Sequence, residues 1–185
     1  MRQAIFIDKD GTLITDVPYN ADPEKIRLEH AAGAALKRLH DAGYYLILVT
    51  NQAGIAHGKF PEGMLCGVFK RINQLLLEEG QVEIDRFYYC PHHPEAKLKK
   101  YRKPCDCRKP LPGMLQQAAL ENNIDLANSW MIGDILDDVE AGNRAGCHTI
   151  LIDNGNETKW EPGAYRNPTL VANGLLTAAE MILHD

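Results

Sequence analysis

Short apolar runs alternate along this chain with longer amphipathic stretches, and that alternation restricts the available folds more than any other feature. Residues 4–7, 45–49, 86–89, 130–132 and 149–152 are short and β-prone, as strands buried on both faces tend to be. Residues 31–42, 62–79, 112–123, 137–145 and 174–183 carry helical patterns. Pro112 suits the first turn of its helix, and Gly43 and Gly146 suit the ends of theirs. This order predicts an α/β fold, a Rossmann-like doubly wound parallel sheet with helices on both faces. A length of 185 residues suits one domain spanning residues 1–185 rather than two. Two stretches break the rhythm. Residues 91–111, rich in Pro, Lys and Cys, read as an ordered insert, and residues 154–168 read as a surface loop ahead of a final strand and helix.

A net charge of −5 disfavours any general attraction to nucleic acid or to an anionic membrane. The opening MRQAIFIDKDG has only a brief apolar run that ends in acids, unlike a signal peptide, and no apolar run approaches the length of a membrane span. The odd set Cys66, Cys90, Cys105, Cys107 and Cys147 fits a reducing compartment and a metal better than a disulfide framework, so a cytoplasmic location is expected. Cys66 and Cys147 are expected to be buried apolar groups.

Ligands of such a sheet bind beyond the carboxyl ends of its strands. The first strand runs into Asp8-Lys9-Asp10-Gly11-Thr12, the second into Thr50-Asn51-Gln52, and the fourth into Gly133-Asp134 followed by Asp137 and Asp138. Arg108-Lys109 precedes the helix that leads to the fourth strand. Acids gathered from two strand ends offer the hard oxygen donors that suit Mg2+ together with a substrate phosphate. Lys109 can offset their repulsion of phosphate, and the Thr50 hydroxyl can hold a phosphoryl oxygen.

These residues resemble the four motifs of the haloacid-dehalogenase phosphatases. The resemblance implies that Asp8 attacks phosphorus to form an aspartyl-phosphate, and that Asp10 serves as general acid and then general base. It further implies magnesium on Asp8, Asp134 and the Asp10 backbone carbonyl, with Thr50 and Lys109 steadying the phosphoryl group. Of Asp137 and Asp138, one could orient Lys109 or a water, or both could cap the helix.

Cys90-Pro91-His92-His93 and Cys105-Asp106-Cys107 flank a loop too polar to pack by itself. Cys90, His92, Cys105 and Cys107 would give Zn2+ a closed tetrahedron and a structural role, with His93 the rival to His92. The loop ends at Lys109, so pinning it would place that lysine. The paired ligand motifs resemble those of the heptose bisphosphate phosphatases and the neighbouring histidinol-phosphate phosphatases. The long loop and the segment Thr50-Asn-Gln-Ala-Gly-Ile-Ala-His-Gly-Lys59 resemble the heptose branch, which implies removal of the 7-phosphate from D-glycero-D-manno-heptose 1,7-bisphosphate. One departure is Ile135, where relatives often place lysine after Gly-Asp.

The basic run Lys97, Lys99, Lys100, Arg102, Lys103, Arg108 and Lys109 suits a small sugar bisphosphate, with Arg108 on the phosphate that is not cleaved. Asp16, Tyr19, Asn51 and Gln52 are candidate sugar contacts. No large cap is inserted, so an open site is expected, lidded only by residues 16–20 and the zinc loop, in a monomer. The competing functions are histidinol-phosphate phosphatase, nucleic-acid 3′-phosphatase and zinc-stabilised nucleic-acid-binding module. The acidic charge and the few aromatics near the basic run disfavour nucleic acid.

Overall fold

The computed structural model describes residues 1–184. Six strands form one sheet: β1 (Ala4–Ile7), β2 (Tyr45–Asn51), β3 (Arg86–Cys90), β4 (Trp130–Gly133), β5 (His148–Ile152) and β6 (Leu170–Ala172). Their order is β3-β2-β1-β4-β5-β6, and every neighbouring pair is parallel. The helices are α1 (Ala32–Asp41), α2 (Ala53–Ala56), α3 (Leu65–Gly80), α4 (Gly113–Asn122), α5 (Leu136–Ala145) and α6 (Leu175–His184).

Successive residues of a strand point to opposite faces, and here both faces are covered. Ile5, Ile7, Leu46, Leu48, Trp130 and Ile132 join a core with Leu36 and Leu39 of α1, Ile72 of α3 and Ile182 of α6. Their neighbours Ala4, Phe6, Ile47, Val49 and Met131 join a second core with Met114 and Leu115 of α4 and Ala141 of α5. This explains why the strands read as unbroken apolar runs rather than alternating ones. The central strands β1, β2 and β4 each serve two cores.

The expected elements are present with small changes of boundary. A 3-10 turn, Glu62–Met64, precedes α3, so the long helix begins later than its periodicity suggests. Pro112 stands just before α4 rather than within it, and Gly43 and Gly146 follow their helices with positive φ. The short helix α2 has no counterpart in the sequence reading, since four residues carry too little periodicity to register. Cys147 is buried as expected, but Cys66 is exposed. The core face of α3 is Leu65, Val68, Ile72 and Leu76, and Cys66, one residue on from Leu65, is turned off that face. Among the described residues, no helix is long and apolar enough to cross a membrane.

Candidate active site

The chain reverses its winding direction between β1 and β4, and the crevice beyond their carboxyl ends is where such a sheet takes a ligand. Asp8 follows β1 directly, and its N–H donates to the Ile132 carbonyl of β4 at 2.9 Å. The chain then turns tightly: Leu13 and Ile14 N–H groups donate to the Lys9 carbonyl at 3.1 and 2.9 Å. Gly11 has φ +80, and a Cβ there would lie 2.2 Å from Asp134 Oδ2, so the turn admits no side chain.

Asp8, Asp134 and Asp138 are all buried, and each offers a carboxylate oxygen within 4.8 Å of the others. Lys109 joins them. Its ammonium contacts Asp8 Oδ1, lies 2.6 Å from Asp138 Oδ1, and donates to the Val49 carbonyl at 3.1 Å. Burial works against the charge on Lys109, but Asp138 and Asp8 outweigh it and hold its pKa above the ordinary lysine value. Burial pushes Asp138 up, with Lys109 opposing. Burial and then the Asp8 charge push Asp134 up to about 6, against a hydrogen bond from Asn156.

Geometry separates the two acids that the sequence left equivalent. Asp138 reaches Lys109, and its other oxygen accepts from the Ile135 N–H at 3.3 Å. Asp137 turns away to Arg166 at 3.1 Å.

Asp10 sits further out. Burial raises its pKa, Lys9 lowers it, and Asp8 and Asp16 raise it again. Gln52 Nε2 spans from Thr50 Oγ1 at 2.8 Å to Asp10 Oδ2 at 3.4 Å, tying two predicted site residues together. Asn51 does something its spacing did not suggest. Its amide grips the Lys109 peptide at both ends, donating to the carbonyl and accepting from the N–H, each at 3.0 Å. Asp16 and Tyr19 line a cleft shared with Asp10, Asn51 and Gln52, whereas Arg108 lines a neighbouring one with His93, Lys103 and Lys109.

Two groups of contributors escaped the sequence reading. Lys9 is buried with its ammonium 2.8 Å from Asp10 Oδ1; the available signal was a lysine set between two acids at a buried strand end. Asn154 and Asn156, from the loop read as mere surface, reach the Gly11 carbonyl and Asp134 Oδ2, each at 2.7 Å. Nothing local in that polar stretch distinguishes them from turn residues.

Cys90, His92, Cys105 and Cys107 also converge, with donor atoms within 4.8 Å of one another. The Cys90 sulfur is 3.6 Å from that of Cys105 and 3.7 Å from His92 Nδ1, and Cys107 is 3.4 Å from the same nitrogen. A tetrahedron with bonds of about 2.3 Å has donors about 3.8 Å apart, so the set fits zinc. The Cys90 and Cys107 sulfurs are closer, at 2.9 Å; their contact pulls Cys107 down to about 5 and pushes Cys90 well up. His93 is not in the cluster. Its Nδ1 accepts from the Glu95 N–H at 3.1 Å, and its ring lies 4.8 Å from that of His57.

Comparison with known proteins bears on this arrangement. Residues 106–178 match the HAD-hydrolase-like family model. D-glycero-beta-D-manno-heptose-1,7-bisphosphate 7-phosphatase of Haemophilus ducreyi is 42% identical over 176 residues, covering 95% of each chain. The chain belongs to the heptose bisphosphate phosphatase family of haloacid-dehalogenase-like hydrolases. The Escherichia coli K12 member of this phosphatase family is 39% identical over 82% of this chain and 80% of its own. The crystal structure of a D,D-heptose 1,7-bisphosphate phosphatase from B. bronchiseptica, complexed with magnesium and phosphate, superposes with a TM-score of 0.84 at 31% identity, covering 98% of both chains. As a member of this family the protein is a phosphomonoester hydrolase, and its acidic cluster, three buried carboxylates beside one lysine, has the hard donors that magnesium requires.

Proposed function

We propose that this phosphatase acts as one catalytic domain in the cytoplasm and removes the 7-phosphate of D-glycero-D-manno-heptose 1,7-bisphosphate through an aspartyl-phosphate on Asp8. The observation that carries the reading is the convergence of Asp8, Asp134, Asp138 and the Lys109 ammonium in one buried cluster at the switch point of the sheet. Asp8 supplies the attacking oxygen, and Asp10 protonates the leaving sugar oxygen before taking a proton from the hydrolytic water. Asp8, Asp134 and the Asp10 carbonyl hold magnesium, which when bound neutralises charge on the phosphoryl group. Lys109 and Thr50 stabilise the transferring phosphoryl oxygens, and Asp138 orients Lys109. Asp16, Tyr19 and Gln52 face the sugar, and Arg108 takes the phosphate that remains. Zinc on Cys90, His92, Cys105 and Cys107 is structural, because four protein donors close the site. The enzyme works as a monomer on a small soluble substrate, without nucleic acid.

The test is a phosphate-release screen with both anomers of the heptose bisphosphate, fructose 1,6-bisphosphate, histidinol phosphate and a DNA 3′-phosphate. One heptose anomer should give the highest kcat/KM, exceeding the monophosphorylated substrates by about tenfold or more, since a site built to pair both phosphates penalises substrates lacking one. Asp8→Asn should abolish turnover of all of them. Faster hydrolysis of histidinol phosphate or of the DNA end would overturn the substrate assignment, and an active Asp8→Asn would overturn the covalent mechanism.

A further inference from the structure

The segment after β5 is tied to the acidic cluster at several points. Asn154 Nδ2 donates to the Gly11 carbonyl at 2.7 Å, inside the turn that carries Asp8 and Asp10. Glu157 Oε2 accepts from the Leu136 N–H at 2.6 Å, at the first turn of α5, and Glu157 Oε1 accepts from the Lys159 N–H at 2.6 Å. Farther along, Arg166 Nη1 bridges Asp137 and Glu140 at 3.1 Å each, and Asn143 Nδ2 donates to the carbonyls of Tyr165 and Asn167. A loop that only connected β5 to β6 would not need anchors on two active-site elements.

Between these anchors stands Asn156. Its Nδ2 donates to Asp134 Oδ2 at 2.7 Å, while Thr12 Oγ1 donates to Asp134 Oδ1 at 3.3 Å. Both oxygens of this carboxylate are thus engaged. The terminal torsion of an aspartate is soft, and without these donors the group could swing within its site. The space that a Gly11 Cβ would fill is taken by Asp134 Oδ2 and by Asn156 Nδ2 at 2.5 Å, so the arrangement is packed as well as hydrogen-bonded. A neutral amide also leaves the carboxylate charge free for a cation, which an ammonium at the same place would partly cancel.

We propose that Asn156 is a positioning residue for the Asp134 carboxylate, holding it in the orientation that meets magnesium beside Asp8. The inference rests on the assignment of Asp134 to magnesium made above. Partners that orient a metal ligand in this way are worth on the order of 10- to 100-fold in metal affinity.

The experiment is isothermal titration calorimetry of magnesium chloride into the full-length, zinc-loaded protein, with melting temperature and zinc content measured alongside. Asn156→Ala should weaken magnesium binding by about 10- to 100-fold, with melting temperature and zinc unchanged. Asn156 is exposed at the loop surface, so folding of this variant is expected. Asn156→Ser, with a shorter donor, should fall between the two. Asp134→Asn should lose binding altogether. If Asn156→Ala binds magnesium like the parent while Asp134→Asn does not, Asn156 has no positioning role and the inference fails. If Asp134→Asn itself binds like the parent, the underlying metal assignment fails and takes this inference with it.

Discussion

A lysine side chain with 1% of its surface exposed sits between two acids at the end of β1. Burying an ammonium costs several kcal/mol unless a partner offsets it, and the partner of Lys9 is Asp10 Oδ1 at 2.8 Å. Gln52 holds the other oxygen, so the carboxyl assigned the acid–base role is gripped from both sides. Asp10 also faces the charges of Asp8 and Asp16, which Lys9 counters. Lys9→Met keeps most of the buried volume but removes the charge. It should lower kcat by between about tenfold and a hundredfold through misplacement of Asp10, with a smaller change in KM. Steady-state kinetics at saturating magnesium measure this, and an unchanged kcat would show that Gln52 alone suffices.

At the level of elements, the Cys/His loop and β2 both act on one residue. Cys107 lies two positions before Lys109, and the Asn51 amide at the end of β2 clamps the Lys109 peptide directly. The lysine is therefore held from two directions. Cys107→Ala should lower turnover, but by less than Lys109→Ala, because the Asn51 clamp survives. Cys107→Ala combined with Asn51→Ala should approach the Lys109→Ala loss. Adding Cys107→Ala to Lys109→Ala should cost little more, since both remove one interaction. A double-mutant cycle on kcat reads all of these, and losses that multiply independently of Lys109 would mean that the loop touches substrate in its own right.

The whole molecule sorts its thiols by environment. Cys147 lies in the core between the sheet and α4–α5, where burial pushes its pKa up to about 12. Cys66 is exposed on α3, and the remaining three belong to the Cys/His cluster. Iodoacetamide at about pH 8 should therefore alkylate Cys66 in the metal-loaded protein, leave Cys147 silent, and reach the cluster thiols only after chelation. Peptide mass mapping checks each site. The sign of the accompanying pH effect follows from the same burial. Folded Cys147 keeps its proton above the ordinary thiol pKa of about 8.5 whereas the unfolded chain releases it, so this group makes the fold less stable as pH rises from there toward 12.

Features that depend on neighbours along the chain were legible before any folding was considered. Strand runs, helical periods, the Asp8–Thr12 turn, Gly133-Asp134 and the paired Cys/His motifs are local patterns, and the structure contains them all at or near the expected positions. Local pattern could not rank Asp137 against Asp138 or His92 against His93, because adjacent residues differ only in which way the backbone turns them. The tertiary structure decided both, sending Asp138 to Lys109 and Asp137 to Arg166, and leaving His93 against His57 while His92 joins the cysteines. It also brought Asn156 to Asp134 and Asn51 to the Lys109 peptide, across 22 and 58 positions of chain. An amide that is an ordinary polar residue in its own segment becomes part of a site only when another strand end delivers its acceptor, and that delivery is a property of the packed sheet.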